Sequence, residues 1–333
     1  MIAVVGGSLD PQGPAAQSIA DLWWLLLALG TIPLVIVLGL LAYGLFRPRP
    51  PDPEATALPV PPEDETDPDP SAPEPVPDTT PTYGRWLIGG GVLMPTALIA
   101  ITLGATIESM NDVPTEGSDD ALVVEVTGHQ WWWEIRYPDH AITTANELHV
   151  PVDREVELQL RSEDVIHSFW VPELAGKLDL LPERTNTLVL EASAPGTYGG
   201  ACAEFCGLAH TNMELTVVAS DEADFAAWVA AQQEPAAGAA DADPSEGLEV
   251  FLDEGCATCH TIRGTSAAGD DGPDLTHVAG RDRLAAGAIA NTAEDLAAWI
   301  ADPHDAKSGV DMPASDLTDD EIDAVVAYLG SLE

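Results

Sequence analysis

The sequence predicts a multidomain membrane protein with a two-helix transmembrane hairpin, a β-sandwich and an all-α C-terminal domain. Three observations carry this prediction. Two long uncharged apolar runs lie near the N-terminus, alternating apolar and polar residues follow them, and the last part of the chain has helical periodicity. The chain has 333 residues, which is enough for two or three domains.

The charge of the chain excludes one large class of function. Lys and Arg number 12 against 56 Asp and Glu, which gives a net charge of −44. A nucleic-acid binder needs a cationic surface, so we expect no nucleic-acid partner. Hydrophobic residues make up 46% of the chain, which argues against general disorder. The acidity is explained either by adaptation to high salt or by a simply acidic surface.

The two apolar runs are long enough to cross a bilayer. Residues 22–46 and 86–107 contain 25 and 22 residues without a charge, and a helix of about 20 residues spans the hydrocarbon core. A buried core helix is the alternative, disfavoured by the length and the tandem arrangement. A cleaved signal peptide is disfavoured because no basic residue precedes the first run.

The basic residues predict the orientation of this hairpin. Arg47, Arg49 and Arg85 all lie in segment 47–85, and none lies before the first run. The positive-inside rule then makes 47–85 a cytoplasmic loop and the N-terminal segment 1–21 extracytoplasmic. The loop contains 13 of the 28 prolines and reads as an extended acidic connector.

The extracytoplasmic part divides into two domains and a linker. Residues 108–232 contain alternating runs such as 122–126 and 156–160, which predict short strands of a β-sandwich followed by a helix from about 221. Residues 233–245 are rich in Ala, Gly, Pro and Asp and predict a linker. Residues 246–333 are helical, and their last helix begins with a Thr318–Glu321 capping box.

One pair of cysteines predicts a covalent haem. Cys256 and Cys259 are followed directly by His260, which is the attachment signature of a c-type haem. The alternative, a disulfide, is disfavoured by the adjacent histidine. Met312 is the only methionine after this motif and is the expected sixth ligand of the iron. His277 and His304 stay open as alternatives.

The other pair of cysteines predicts a copper site. Soft sulfur and imidazole ligands recur between residues 167 and 213: His167, Cys202, Cys206, His210 and Met213. A single cysteine in such a set would predict mononuclear blue copper, whereas two thiolates can bridge two copper ions. Met213 and the carbonyl of Glu204 would be weak outer ligands. A zinc site and a Cys202–Cys206 disulfide are the alternatives.

At these motifs the chain resembles a known family. Residues 20–230 look like subunit II of the haem–copper terminal oxidases, through GHQWWWE (128–134), SEDVIHSFWVP (162–172), KLDLLPER (177–184) and CAEFCGLAHTNM (202–213). The haem motif and Met312 resemble the fused cytochrome c domain of one branch of that family. The resemblance implies a cupredoxin-like fold for residues 108–232.

The resemblance also implies specific ligands. It implies that dinuclear copper A is held by the following groups: His167, Cys202, the carbonyl of Glu204, Cys206, His210 and Met213. The Glu204 side chain would bind magnesium shared with the catalytic subunit. Trp131, Trp132 and Trp133 match an aromatic entry point for electrons, with sheet packing as the alternative. Asp164 and Asp179 match acidic positions facing partner subunits, with solvated charges as the alternative.

The implied function is electron transfer in a proton-translocating cytochrome c oxidase of the plasma membrane. Electrons from a donor cytochrome or another redox protein would pass through haem c and copper A to subunit I, where oxygen is reduced to water. A third subunit is implied as a further partner, and no catalytic residue lies in this chain. Two alternatives stay open: the copper A subunit of a nitric oxide reductase, and a membrane-anchored copper-binding or delivery protein.

Overall fold

The computed structural model describes residues 7–48, 81–236 and 245–333. Most of loop 47–85, residues 237–244 of the expected linker and residues 1–6 lie outside the described residues. The chain divides into two compact units, one formed by residues 1–20 together with 111–333 and the other by residues 21–110.

The N-terminal third contains two long apolar helical segments. Helix α1 spans Pro14–Phe46. The second segment contains α2 (Pro81–Ile88), a π-helical turn (Gly89–Leu93) at three successive glycines, and α3 (Met94–Asp112). Pro14–Phe46 and Gly84–Asp112 are long and apolar enough to cross a membrane, with mean hydropathies of 2.7 and 1.9. Helix α1 begins eight residues before the apolar run at Leu22.

A sandwich of two five-stranded sheets follows. Its strands are β1 (Leu122–His129), β2 (Trp132–Tyr137), β3 (Ile142–Ala145), β4 (Glu147–Pro151), β5 (Val156–Ser162), β6 (His167–Trp170), β7 (Leu178–Leu180), β8 (Asn186–Leu190), β9 (Gly196–Cys202) and β10 (Glu214–Ser220). The strand orders are β3-β2-β1-β5-β8 and β4-β10-β9-β6-β7.

Side-chain alternation explains why these residues form a sandwich. Val124 and Val126 of β1 and Leu158 and Leu160 of β5 are fully buried, while the residues between them are less buried. Successive strand side chains point to opposite faces, so one face of each strand enters the core. Each such side chain contributes roughly 1.5–3 kcal/mol by leaving water. The predicted strands at 122–126 and 156–160 are confirmed. Helix α4 (Glu222–Gln233) closes this domain.

The C-terminal domain is mainly helical, as predicted. It contains α5 (Glu246–Asp253), α6 (Ala293–Ala301), α7 (Pro303–Ala306) and α8 (Asp319–Leu329), with a short hairpin of β11 (Arg283–Leu284) and β12 (Ile289–Ala290). The Thr318–Glu321 capping box is present at the start of α8 and confirms that prediction. Apolar side chains of α5, α6 and α8 form a separate hydrophobic cluster.

Candidate metal centre and haem attachment site

One loop and one neighbouring strand bring the predicted copper ligands together. Strand β9 ends at Cys202, and strand β10 begins one residue after Met213. The Cys202 amide donates to the Met213 carbonyl at 2.9 Å, which closes the loop between these strands. Strand β6 pairs antiparallel with β9 and begins at His167. The sheet therefore delivers ligands separated by more than 30 residues to one place.

The ligand side chains form a compact cradle. The Sγ atoms of Cys202 and Cys206 lie 3.8 Å apart, and both cysteines are free and buried. His167 Nδ1 lies 3.9 Å from Cys202 Sγ, and His210 Nδ1 lies 3.6 Å from Cys206 Sγ. Each thiol thus has one imidazole beside it.

Two weaker ligands complete the cradle. Met213 Sδ lies 3.9 Å from Cys206 Sγ, and the Glu204 carbonyl oxygen lies 3.2 Å from Cys202 Sγ. The Glu204 side chain is exposed and lines an open cleft together with Asp179 and Arg184. The carbonyl of Glu204 therefore faces the thiol pair, whereas its side chain faces the open cleft.

The thiol pair carries negative charge before any metal binds. The hydrogen bond between the two thiols lowers the pKa of Cys202 to about 3, and His167 supports the thiolate. The same contact and burial raise the pKa of Cys206. Thiolates are the form that binds a metal, so the cradle is prepared for a cation.

Asp164 orients the buried imidazole of His167. His167 Nε2 lies 2.7 Å from Asp164 Oδ1, so Nδ1 is the nitrogen that faces the thiols. Burial acts to lower the pKa of His167, but its bonds to Asp164 and Cys202 raise it. Gly128 leaves room for this ring, because a Cβ there would lie 2.8 Å from His167 Cδ2. The resemblance implies a partner surface for Asp164, with a solvated charge as the alternative. Its spacing of three from His167 is the signal in the sequence that points to this contact.

The donor set fits copper better than zinc. Two thiolates, two imidazoles and a thioether are soft ligands of the kind that copper prefers. A structural zinc site closes with four Cys or His ligands and leaves no role for Met213. The three buried donors His167, Cys202 and Cys206 have ligand atoms within 4.8 Å of one another.

The three tryptophans have different environments. Trp133 lies inside the sandwich against Phe169 and His167. Trp132 is partly exposed and stacks on His129 at 4.3 Å. Trp131 is nearly buried, and its indole Nε1 donates to the Cys206 carbonyl at 3.0 Å. Of the three, Trp131 bonds through its side chain to the loop 203–213 between β9 and β10. This loop is called the copper loop below, because it carries most of the predicted copper ligands.

The C-terminal domain holds the haem motif in a tight turn. A 3-10 turn spans Cys256–Thr258, and the His260 amide donates to the Cys256 carbonyl at 3.0 Å. His260 Nδ1 donates to the Pro273 carbonyl at 2.8 Å, which leaves Nε2 as the free ligand atom. Burial lowers the pKa of His260 and favours the neutral ring that a metal needs. These residues fit a covalent haem.

The candidates for the sixth iron ligand differ in their surroundings. His277 Nε2 bonds to the Glu234 carbonyl at 3.0 Å, and His304 is exposed on α7. Met312 is partly buried in the segment between α7 and α8. His277 is therefore held by a contact within the fold, and Met312 stays the predicted sixth ligand.

Sequence comparisons identify two families along this chain. The family "Cytochrome C oxidase subunit II, periplasmic domain" matches residues 140–220, and the family "Cytochrome c" matches residues 244–333. Cytochrome c oxidase subunit 2 of Alkalihalophilus pseudofirmus is 32% identical over 329 residues, covering 98% of this chain and 90% of the relative. The Bacillus subtilis protein of the same name is 32% identical, covering 73% of this chain and 70% of the relative.

Among solved structures, the periplasmic domain of subunit II of a cytochrome oxidase from Bradyrhizobium japonicum is 29% identical to this chain. It aligns with a TM-score of 0.34 and covers 36% of this chain and 97% of that structure.

Proposed function

Because this chain belongs to the cytochrome c oxidase subunit II family, with a cytochrome c domain fused at its C-terminus, we propose that it relays electrons to the catalytic subunit of the oxidase. It is a subunit of an oxidoreductase complex. The observation that carries the proposal is the cradle of two thiols 3.8 Å apart with an imidazole beside each. We propose that the cradle holds two copper ions.

The residues of the cradle are arranged for a centre that changes charge with little movement. When bound by the two thiols and the two imidazoles, copper would supply one-electron transfer, with the charge shared over the site. His167 is fixed by Asp164, and the Cys202 amide is fixed by the Met213 carbonyl. Because these bonds hold the ligands in place, we expect little movement when the charge of the site changes, which favours electron transfer.

We propose that Cys256 and Cys259 attach haem c and that His260 and Met312 would hold its iron. The Pro273 carbonyl holds the His260 ring in the orientation that presents Nε2. A histidine and methionine pair is the ligand set of electron-transfer cytochromes. The haem domain would accept electrons from an external donor cytochrome or another redox protein.

We propose that the two apolar helices anchor the chain in the plasma membrane. Loop 47–85 would face the cytoplasm, and residues 108–333 would lie outside, beside subunits I and III. The exposed Glu204 side chain, on the residue whose carbonyl faces Cys202, is suited to hold magnesium at the boundary with subunit I. Oxygen reduction, and the proton translocation coupled to it, would take place in subunit I.

Oxygen consumption by the purified complex tests this proposal. Cys202→Ala should reduce it by more than the roughly 10–100-fold that loss of an outer-shell partner causes. The haem of the variant should still be reduced by the donor. Thr211→Ala is the matched control, because Thr211 is exposed on the same loop, and it should keep full activity. Unchanged oxygen consumption in Cys202→Ala would refute the relay.

A further inference from the structure

Lys307 is a buried lysine in the haem domain. It follows helix α7, and only 2% of its surface is exposed. Lysine is almost never fully buried unless its charge has partners. Burial lowers the pKa of Lys307 to about 7, while the nearby carboxylate of Glu214 acts to raise it. Because burying a lysine costs free energy, we expect Lys307 to make specific contacts in the fold.

The ammonium group of Lys307 joins the two extracytoplasmic domains. Its Nζ donates to the Trp131 carbonyl at 2.6 Å and to the Ala285 carbonyl at 2.8 Å. Trp131 belongs to the turn between β1 and β2 of the sandwich, and Ala285 to the turn between β11 and β12 of the haem domain. One side chain therefore ties three segments of the chain together.

Neighbouring contacts continue the same interface. The Glu214 amide donates to the Ala286 carbonyl at 2.9 Å, and the Asp282 amide donates to Glu147 at 2.9 Å. Val310 packs against the apolar core of the sandwich. A Cβ at Gly309 would lie 3.0 Å from Leu208 and 3.4 Å from Trp131, so the backbone after Lys307 runs close to the copper loop.

These contacts connect the copper loop to the chain segment that carries Met312. Trp131 Nε1 and Gln130 Nε2 both donate to the Cys206 carbonyl, at 3.0 and 2.6 Å. Lys307 holds the Trp131 carbonyl from the other side and lies five residues before Met312. Cys206, Trp131 and Lys307 thus form a continuous chain of hydrogen bonds between the two domains.

We propose that Lys307 is a positioning residue that fixes the haem domain against the copper loop, so that the two redox sites exchange electrons in one docked arrangement. This inference rests on the proposed function of the two sites. The alternative is a haem domain that moves freely on its linker and reaches the copper loop by diffusion. In the exchange, one electron leaves the ferrous haem iron, and the oxidised copper pair gains it.

The test uses the full chain loaded with haem and copper. After rapid photoreduction of the haem, its reoxidation by the copper pair is followed in buffers of increasing viscosity. If the haem domain is docked, the rate of haem reoxidation in the wild type should be independent of viscosity. Lys307→Met keeps an unbranched side chain but removes its donor. It should slow transfer about tenfold or more, because loss of the hydrogen bonds lowers the docked fraction by about that factor. Its rate should also become viscosity-dependent.

Arg263→Met is the matched control for loss of a charge and of contacts between the domains. Arg263 bonds to the carbonyls of Gln232 and Gln233, near the end of α4 and away from Trp131. This variant should keep the rate of the wild type and its independence of viscosity. Copper content, haem content and the absorption spectra should be unchanged in both variants, which separates loss of position from loss of a site.

Two results would overturn the inference. One is a viscosity-dependent rate in the wild type, and the other is a Lys307→Met variant that behaves as the wild type does. If Lys307→Met does not fold, Val310→Ala decides, because it trims the same interface without touching the buried charge. A slower and viscosity-dependent rate supports the inference, and an unchanged one refutes it. A wild type that binds no copper would instead refute the proposed function.

Discussion

The orientation of single imidazole rings determines what the two sites can bind. His167 and His260 each use one ring nitrogen for an anchor within the fold, Asp164 in one case and the Pro273 carbonyl in the other. Such outer partners fix the ring and raise its strength as a ligand. His167 Nδ1 then faces the Cys202 thiol, and Nε2 of His260 is left free as a ligand atom.

Replacing Asp164 by Asn should weaken copper binding. The amide keeps the shape of the side chain but removes the charge that supports His167, and we expect a loss of about 10–100-fold in affinity. Copper retained at increasing chelator concentration measures the effect. Glu163→Gln is the control, because Glu163 is exposed and pairs with Arg161. Equal copper retention in both variants would show that Asp164 does not support the ligand.

The two methionines should affect different redox sites. Met213→Leu keeps a similar volume at a buried position but removes the weak sulfur ligand, so the copper potential should shift while copper remains bound. Met312→Ala should leave the copper potential unchanged and open the sixth position of the haem iron. Redox titration and binding of an added haem ligand measure the two effects. An unchanged copper potential in Met213→Leu would remove Met213 from the ligand set.

At the level of single residues, the sequence predicts the ligands more readily than the residues that hold the ligands in place. The spacing of Cys202, Cys206, His210 and Met213 within one loop could be recognised because soft ligands repeat there. The roles of Pro273 and Lys307 could not be recognised, because they depend on hydrogen bonds to backbone carbonyl groups, and the pattern of side chains does not indicate such bonds. Lysine in a polar segment normally predicts an exposed side chain.

Among the elements, strand pairing positions the predicted copper ligands. Strand β9 delivers Cys202, strand β10 follows Met213, and pairing with β6 brings His167 alongside. Alternation of apolar residues predicted β1 and β5 from the sequence, because period-2 burial is a local property. The order of strands within the two sheets could not be predicted, because it depends on contacts between distant segments.

In the haem domain, Gly272 leaves space for the imidazole ring of His260. A Cβ at Gly272 would lie 2.7 Å from His260 Cε1. Gly272→Ala should therefore displace the imidazole and weaken the low-spin haem spectrum. Gly280→Ala is the control, because nothing lies within 4 Å of its Cβ position. An unaltered spectrum in Gly272→Ala would show that the ring has room to move.

For the whole molecule, the net charge of −44 predicts a strong response to salt. Self-repulsion among acidic groups destabilises the folded state, and ions screen it. The melting temperature should therefore rise with sodium chloride between about 0.01 and 1 M, where the Debye length falls from about 30 to 3 Å. Thermal unfolding measures it. A flat response would show that repulsion among the acidic groups does not limit the stability of the folded chain.

The most direct test of the account is the metal content of the purified chain, together with its electron paramagnetic resonance spectrum. We predict two copper ions for each haem, and a hyperfine pattern from one unpaired electron shared by two equivalent copper nuclei. The pattern should disappear in Cys202→Ala. A single zinc ion, a single copper ion, or a disulfide between Cys202 and Cys206 would contradict the account.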